Sequence, residues 1–407
     1  MAAFPDVAET LLPLILEFSP LSQTLHAAAV NSRWRTPARA DQIWIPFCRS
    51  RWRFGALLGT SPTAAPGARD QASLEHLQRA ATEHRKGSVS AEAFNFFQKR
   101  CMQDAEARSW LEQLSSSDNA QKKQARDQVL QRGADALDIL LELERSPSSL
   151  QEAAKTMRQI ISNKWAESKW IQLVKEPTQA ATLEEGALVL SQWARPDADV
   201  AGMRSTLEKL ASRAGELGAQ RSRSSAPGLP TREEAEAMIQ ALNQTLFTEY
   251  GLVGNSTDYY NDENSLLHAV LSTKKGIPIS LSVVWAALAR RCNLPCHPLA
   301  GFPGHVLIRV PVRPESERLS FAEATDIYVD AFDGGQIMSW SGLSNFLRMR
   351  GARGVSEDQV REWVSILPPV HLYTRMIRNL ANIYQQRRDE GRLSGIAQQM
   401  HALSSAA

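Results

Sequence analysis

Three side chains suited to nucleophilic acyl chemistry occur in one order along the chain: the hydroxyl of Ser280, the imidazole of His305 and the carboxylate of Asp330. In such chemistry the imidazole removes the proton of the nucleophile while the acid orients the imidazole, so the hydroxyl must lie within hydrogen-bond reach of the histidine. Gly276 and Pro278 shape a tight entry to an apolar helix running through Val283, Val284, Ala287 and Leu288, and Ser280 stands at its start. That position has a second meaning, because a serine beginning a helix also caps backbone amides. Cys292 and Cys296 fall at or beyond the other end of the helix, where the dipole disfavours a thiolate. The run Cys292-x-x-x-Cys296-His297 raises a metal reading, yet structural zinc takes four ligands and no second Cys or His pair stands nearby. Neither a metal nor a cofactor is expected.

These residues need a mixed α/β frame. His305-Val-Leu-Ile-Arg-Val310 and Ile327-Tyr-Val-Asp-Ala-Phe332 are short strand candidates, the second leading into the Asp333-Gly-Gly turn, so His305 opens one strand and Asp330 lies on another. Elsewhere the apolar residues return at helical spacing, as in Phe94, Phe97 and Cys101 and in Leu137, Leu140, Leu141 and Leu143. Asp118-Asn119 reads as a helix start, and Ser146-Pro147-Ser148-Ser149 as a break followed by a new cap. Residues 183–217 and 233–250 are helical, and the tail from Leu372 to Ala402 reverts to helix. The expected class is α+β and predominantly α-helical.

A chain of 407 residues exceeds one ordinary core and suggests two or three domains. Apolar residues at 43% and charged residues at 22% place it among folding globular chains. Lys plus Arg at 46 against Asp plus Glu at 44 leaves a net charge of +2, too small for a chain-wide attraction to nucleic acid or an anionic membrane. Four scattered cysteines are too few for a disulfide scaffold. No basic leader precedes the first apolar stretch, and no apolar run is long enough to span a bilayer. The expected setting is intracellular, cytoplasmic or nuclear.

The opening segment carries its own signal. Leu11, Leu12, Leu14, Ile15, Leu16 and Phe18, followed by Leu21, Leu25, Ala29 and Val30, put more apolar surface on short helices than so small a unit buries within itself. With Val30-Asn-Ser-Arg-Trp34-Arg, Ile43-Trp44, Cys48 and Trp52, residues 4–54 resemble the F-box, a small helical module that docks on a Skp-type adaptor of a cullin RING ubiquitin ligase. Phe4-Pro5-Asp-Val and Leu12-Pro13 both fit the family's Leu-Pro opening, and Asn31 stands where many members have Cys. The resemblance makes Pro5, Leu12, Ile15, Leu16, Leu25, Val30 and Trp34 the adaptor-binding candidates, with Trp34 equally suited to holding the helices together.

The most specific text is Asp258-Tyr-Tyr-Asn-Asp-Glu-Asn-Ser-Leu-Leu-His-Ala-Val-Leu271, then Lys275-Gly-Ile-Pro-Ile-Ser-Leu281, Phe302-Pro-Gly-His305 and Tyr328-Val-Asp330-Ala-Phe-Asp-Gly-Gly335. A helix-start residue followed by a His and an Asp on strands is the layout of papain-like and transglutaminase-like thiol enzymes. Together with Leu183-Glu-Glu-Gly-Ala-Leu-Val-Leu and Arg375-Met-Ile-Arg-Asn-Leu-Ala-Asn-Ile-Tyr384, these motifs resemble the SirB-type transglutaminase-like family over residues 182–403. Where the thiol enzymes place Cys, this chain reads Ile279-Ser280, so the resemblance implies a degenerate triad of Ser280, His305 and Asp330 and a chain that is not expected to be a catalyst. His305 and Asp330 then persist as a structural pair or as part of a peptide-binding cleft. Some F-box proteins with this domain end in a domain similar to the bacterial hemimethylated-DNA-binding type, for which no room is expected after the tail.

The implied organisation is an F-box at 4–54, a linker at 55–90, a helical region at 91–181, a transglutaminase-like domain at 182–365 and a tetratricopeptide-like helical tail at 366–403. The implied function is substrate recognition in a Skp-cullin-F-box ubiquitin ligase, with a Skp-type adaptor, a cullin RING ligase and an unidentified protein substrate as partners. Two rivals stand beside it. One is a hydrolase or acyl-transferase using Ser280, His305 and Asp330. The other is a scaffold whose opening helices pack within the chain.

Overall fold

Pro278 through Ala289 are all buried, so the apolar helix foreseen after Gly276 presents no polar face and must be covered all round. In the computed structural model, which describes Trp44, Cys48 and residues 92–175, 183–221, 228–314, 325–350 and 354–406, that covering organises the C-terminal part of the chain. Backbone contacts divide the chain into two compact units, Met1–Ser162 and Asn163–Ala407. The class is α+β with helix predominating, as read from the sequence.

The described part of the first unit is helical: α1 (Glu92–Gln113), α2 (Asn119–Arg132), α3 (Leu137–Arg145) and the start of α4 (Gln151–Lys175), inside which the units divide. Asp118 caps α2 by accepting the Ala120 N–H at 2.9 Å, and α3 stops at Ser146. Leu137, Ile139, Leu140, Leu141 and Leu143 fill the core. Beside them the buried Arg100 faces Asp135 and Asp138 at 3.3 and 3.4 Å, a cation admitted to the interior because two carboxylates accompany it. Trp44, also buried, packs its ring 4.6 Å from that of Phe97. Pro5, Leu12, Ile15, Leu16, Leu25, Val30 and Trp34 lie outside the described residues.

In the second unit α5 (Leu183–Ala194), α6 (Val200–Arg221) and α7 (Arg232–Asn243) pack around α9 (Pro278–Arg291), with α8 (Leu267–Thr273) before it. The expected helix at 233–250 changes character at its end, where Gln244–Glu249 form a turn of π-helix. The segment 183–217 is two helices, α5 and α6. β1 (Val253–Gly254) pairs in parallel with β2 (Lys275–Gly276), bracketing the 258–271 motif. A second sheet runs β3 (His297–Pro298), β4 (Ile308–Val310), β5 (Ile327–Asp330) and β6 (Gln336–Met338), antiparallel throughout. Its faces alternate residue by residue: Ile308, Val310, Ile327 and Val329 join the core around α9. Leu307, Tyr328 and Met338 join a second core with Leu343 and Leu347 of α10 (Trp340–Met349) and Val360 of α11 (Glu357–Trp363).

The tail is a helical hairpin, α12 (Pro369–Arg387) and α13 (Glu390–Ala406), turned by Arg388 in the left-handed region at φ 55°. It packs on the second unit through Tyr373, whose ring lies 5.3 Å from that of Trp170, and through Gln399, which accepts the Trp170 indole N–H at 2.8 Å. Asp262 ties the 258–271 motif to the same hairpin, receiving Arg387 at 2.5 Å, Arg392 at 2.7 Å and the Tyr384 hydroxyl at 3.2 Å. Among the described residues no helix is long and apolar enough to cross a membrane.

Two outcomes test this packing. A Cβ at Gly186 would sit 2.4 Å from Cδ1 of Tyr373, so Gly186→Ala is expected to destabilise by about 1–3 kcal/mol. Gly215, in α6 with open space around it, should gain about 0.5–1 kcal/mol on the same change; urea denaturation giving both variants the same sign contradicts the packing. The second concerns His268, whose pKa burial and then Arg195 pull down to about 4, against the opposing effect of Asp197 and Asp262. The unfolded chain then binds the proton first, so stability is held above the unfolded value near 6.5 and declines as pH falls toward 4. In His268→Gln that part of the pH profile should flatten, and an unchanged profile contradicts the assignment.

Candidate functional site

A helix that enters the core with no polar face still has free amides at its first turn, and those amides fix the geometry of Ser280. Ser280 is 4% exposed and sits at the third position of α9. Its Oγ accepts the Ile277 N–H at 3.0 Å and directs its own proton at the carbonyls of Asn264, 2.6 Å away, and Ile277, 3.1 Å away. The hydroxyl therefore joins the start of α9 to the 258–271 motif. Among the described residues no hydrogen bond runs from it to His305.

His305 and Asp330 are brought together. Nε2 of His305 lies 2.8 and 2.9 Å from the two carboxylate oxygens of Asp330, with the residues 2% and 1% exposed. Asp330 ends β5, as the strand reading placed it, and its Oδ1 also accepts the Phe332 N–H at 3.0 Å. That capping bond starts a 3-10 turn at Ala331–Asp333, which is why the strand stops short of Phe332. His305 departs from expectation, since it precedes β4 and does not open it. The reason is competition for carbonyls. That of His305 accepts Arg375 at 2.6 Å and that of Val306 accepts the Ser282 hydroxyl at 3.3 Å, so both are spent on side chains before the ladder begins.

Arg375, from α12, also donates to the carbonyls of Ala300 at 2.9 Å and Phe302 at 2.6 Å. Burial pulls its pKa down. One planar guanidinium thus gathers the loop carrying His305, a role suited to a rigid fork of donors. Arg375 opens the tail motif in the sequence, but nothing in its spacing predicts contact with a loop 70 residues earlier. On the other side of the pair, Asn243 accepts the Trp285 indole N–H at 3.0 Å and donates to the Gly335 carbonyl at 2.7 Å, anchoring the turn after Asp330. Gly335 has φ 79°, and a Cβ there would lie 2.1 Å from Oδ1 of Asn243. Phe332 and Phe346 flank the His305 ring at 6.0 and 5.5 Å, giving the pair an aromatic wall.

The thiols sit apart from this arrangement. Cys292 caps the C-terminal end of α9, with burial, then Glu208, raising its pKa. Burial pushes Cys296 up to about 12, and its sulfur faces the Ala286 carbonyl at 3.8 Å. Both are protonated thiols at neutral pH. His297, its pKa lowered by burial and by Arg290 and Arg309, pairs in the sheet opposite Arg309. Among the described residues no group of His, Cys, Asp and Glu is arranged to hold a metal ion.

Residues 202–378 match the family model described as the transglutaminase-like superfamily. The chain thus carries a transglutaminase-like domain, with His305 and Asp330 inside the matched segment. It is 32% identical over 149 residues to a UPF0162 protein of Xylella fastidiosa (strain 9a5c), covering 36% of this chain and 48% of that one. It is 30% identical over 183 residues to F-box only protein 21 of Mus musculus, covering 40% of this chain and 27% of that one. A UPF0162 protein of Vibrio cholerae is 25% identical over 177 residues, 44% of this chain and 57% of that one. The chain therefore spans between about a quarter and somewhat over half of these relatives' lengths. No solved structure matches the chain.

Removing the hydroxyl in Ser280→Ala leaves the Ile277 N–H and the Asn264 carbonyl buried without this partner, an expected loss of about 1–3 kcal/mol in chemical denaturation. A variant as stable as the parent contradicts the bridging role. Arg375→Met is expected to cost about 3 kcal/mol, and Arg375→Lys should recover little of it because a point charge does not span three carbonyls. Full recovery by lysine would show that charge alone matters there.

Proposed function

We propose that the chain is the substrate-recognition subunit of a Skp-cullin-F-box ubiquitin ligase working inside the cell. Residues 4–54 form its F-box and bind a Skp-type adaptor through Pro5, Leu12, Ile15, Leu16, Leu25, Val30 and Trp34. Residues 182–365, followed by a tetratricopeptide-like tail at 366–403, hold the target protein. The observation that carries the proposal is the similarity over 183 residues to F-box only protein 21, in a chain whose opening residues independently resemble an F-box.

The site geometry supports a binding role for the domain. Ser280 has its hydroxyl bonded to backbone on both sides, whereas acyl transfer needs that hydroxyl on the histidine. In this reading the His305–Asp330 pair is a structural part of a degenerate triad, and chemistry belongs to the partners. Rate comes from effective concentration: a target lysine held beside a charged ubiquitin carrier meets it without a bimolecular encounter.

One observation favours a second reading, in which the opening segment packs within the chain as part of a scaffold. Trp44, inside the proposed F-box, packs its ring tilted against that of Phe97 of α1. A single test separates the two. The full chain should co-purify with a Skp-type adaptor, and Leu16→Asp should abolish the association while the thermal transition of the second unit is kept. Absence of association at micromolar concentration for the parent chain would sink the ligase reading and leave the scaffold.

A further inference from the structure

Two contacts fix which side of α9 faces the His305–Asp330 pair. The Ser282 hydroxyl donates at 3.3 Å to the carbonyl of Val306, the residue after His305. One turn on, the Trp285 indole N–H donates to Asn243, which in turn holds the Gly335 carbonyl beyond Asp330. An α-helix turns about 100° per residue, so Pro278 lies about 40° from Ser282 and about 20° from Trp285, and the three form one stripe. Ile279 is about 60° and 120° away from the same two residues. Ser280 is about 160° and 140° away, on the far side of the helix. Its Oγ turns back over its own entry, where a Cβ on Gly276 would lie 2.8 Å from it.

A third contact sets the height along the axis. Gly276, two residues before Pro278, is the partner of Gly254 in the β1–β2 ladder. Gly254 is pressed against Phe332, where a Cβ would meet the carbonyl oxygen at 2.6 Å and the ring at 2.8 Å. The Phe332 ring lies 6.0 Å from that of His305. The turn after Asp330 therefore sits beside the entry to α9, and the stripe that faces the pair begins there with Pro278. Because Asp330 holds Nε2 of His305, Nδ1 is the nitrogen left to take a proton from a neighbour.

We propose that Pro278, and not Ser280, occupies the position from which a side chain at the start of α9 reaches the His305 ring. The pair is then a base and its orienting acid facing a proline, and Ser280 belongs to the helix cap alone. The position is the first of the helix, where the free amides favour an anion most. A thiol placed there would complete a thiol, imidazole and carboxylate arrangement that the native chain lacks. The proposal rests on reading the pair as the remainder of a triad and is independent of adaptor binding.

Thiol scanning tests it. Pro278→Cys, Ile279→Cys and Ser280→Cys, each alone and with His305→Ala, are alkylated in the folded chain with iodoacetamide near neutral pH, the thiolate displacing iodide to form the S–C bond. The tryptic peptide that starts at Gly276 carries the new thiol and none of the native cysteines, so mass spectrometry reads each rate separately. All three positions are buried, so burial alone does not rank them. The Pro278→Cys thiol should react about tenfold faster than the other two and lose that advantage in His305→Ala. Pro278→Ala, a mild change at a helix start, gives a second readout that needs no thiol: the His305 ring resonances should shift, and by more than in Ser280→Ala. A fast, His305-dependent thiol at 280 overturns the proposal and returns Ser280 to the triad. Three thiols that react alike, or His305 resonances unmoved by Pro278→Ala, overturn it together with the reading of the pair as a triad's remainder; loss of adaptor binding touches neither.

Discussion

The second unit depends on one constraint: α9 is apolar on every side and has to be enclosed. An amphipathic helix needs one covered face, but this one needs helices on one side and a sheet on the other, and the order of elements around it follows. α5, α6 and α7 supply the helical side, and Ile308, Val310, Ile327 and Val329 supply the sheet side. The sheet, covered by α9 on one face, is then covered on its other by α10 and α11, so that its strands read as short apolar runs. Enclosure also makes the helix ends expensive, because free amides and carbonyls there have no solvent to turn to.

That cost links fold to chemistry. At a helix start in an enzyme of this layout the side chain is kept free for a reacting atom, with the dipole lowering a thiol pKa. Here the residue is a serine, and its hydroxyl completes the hydrogen bonding of the first turn by joining Ile277 to Asn264. The histidine and acid remain paired, but they are held by Arg375, Ser282 and the Asp330 cap, all of which serve the backbone around them. A domain can keep the outline of a catalytic cleft for packing reasons alone. The family match over residues 202–378 is compatible with that, since fold and family do not by themselves fix an activity.

Much of this was legible in the sequence because local rules carried it. Glycine, proline and the apolar run before Leu288 announced α9, Asp118 and Ser146 marked a helix start and stop, and Asp330 fell on a strand as the β-branched pattern implied. What escaped was set by contacts far along the chain. His305 lies before its strand because Arg375 and Ser282 take the carbonyls that a ladder would need. The division of 183–217 into two helices turns on the break at Arg195–Asp199, where charged and proline residues interrupt an otherwise helical pattern. Nor does spacing reveal that Asp262 and His268 share a cavity wall with Arg387 and Arg392, since the partners are more than a hundred residues apart.

A hydroxyl bound into backbone on both sides serves the stability of the first turn of α9 at the expense of reactivity. The direct measurement is exposure of the folded chain to a fluorophosphonate probe, followed by peptide mass spectrometry across residues 276–291. The committed hydroxyl predicts that Ser280 stays unmodified under native conditions. Modification of Ser280 in the folded chain, lost in His305→Ala, would contradict it and restore a working nucleophile.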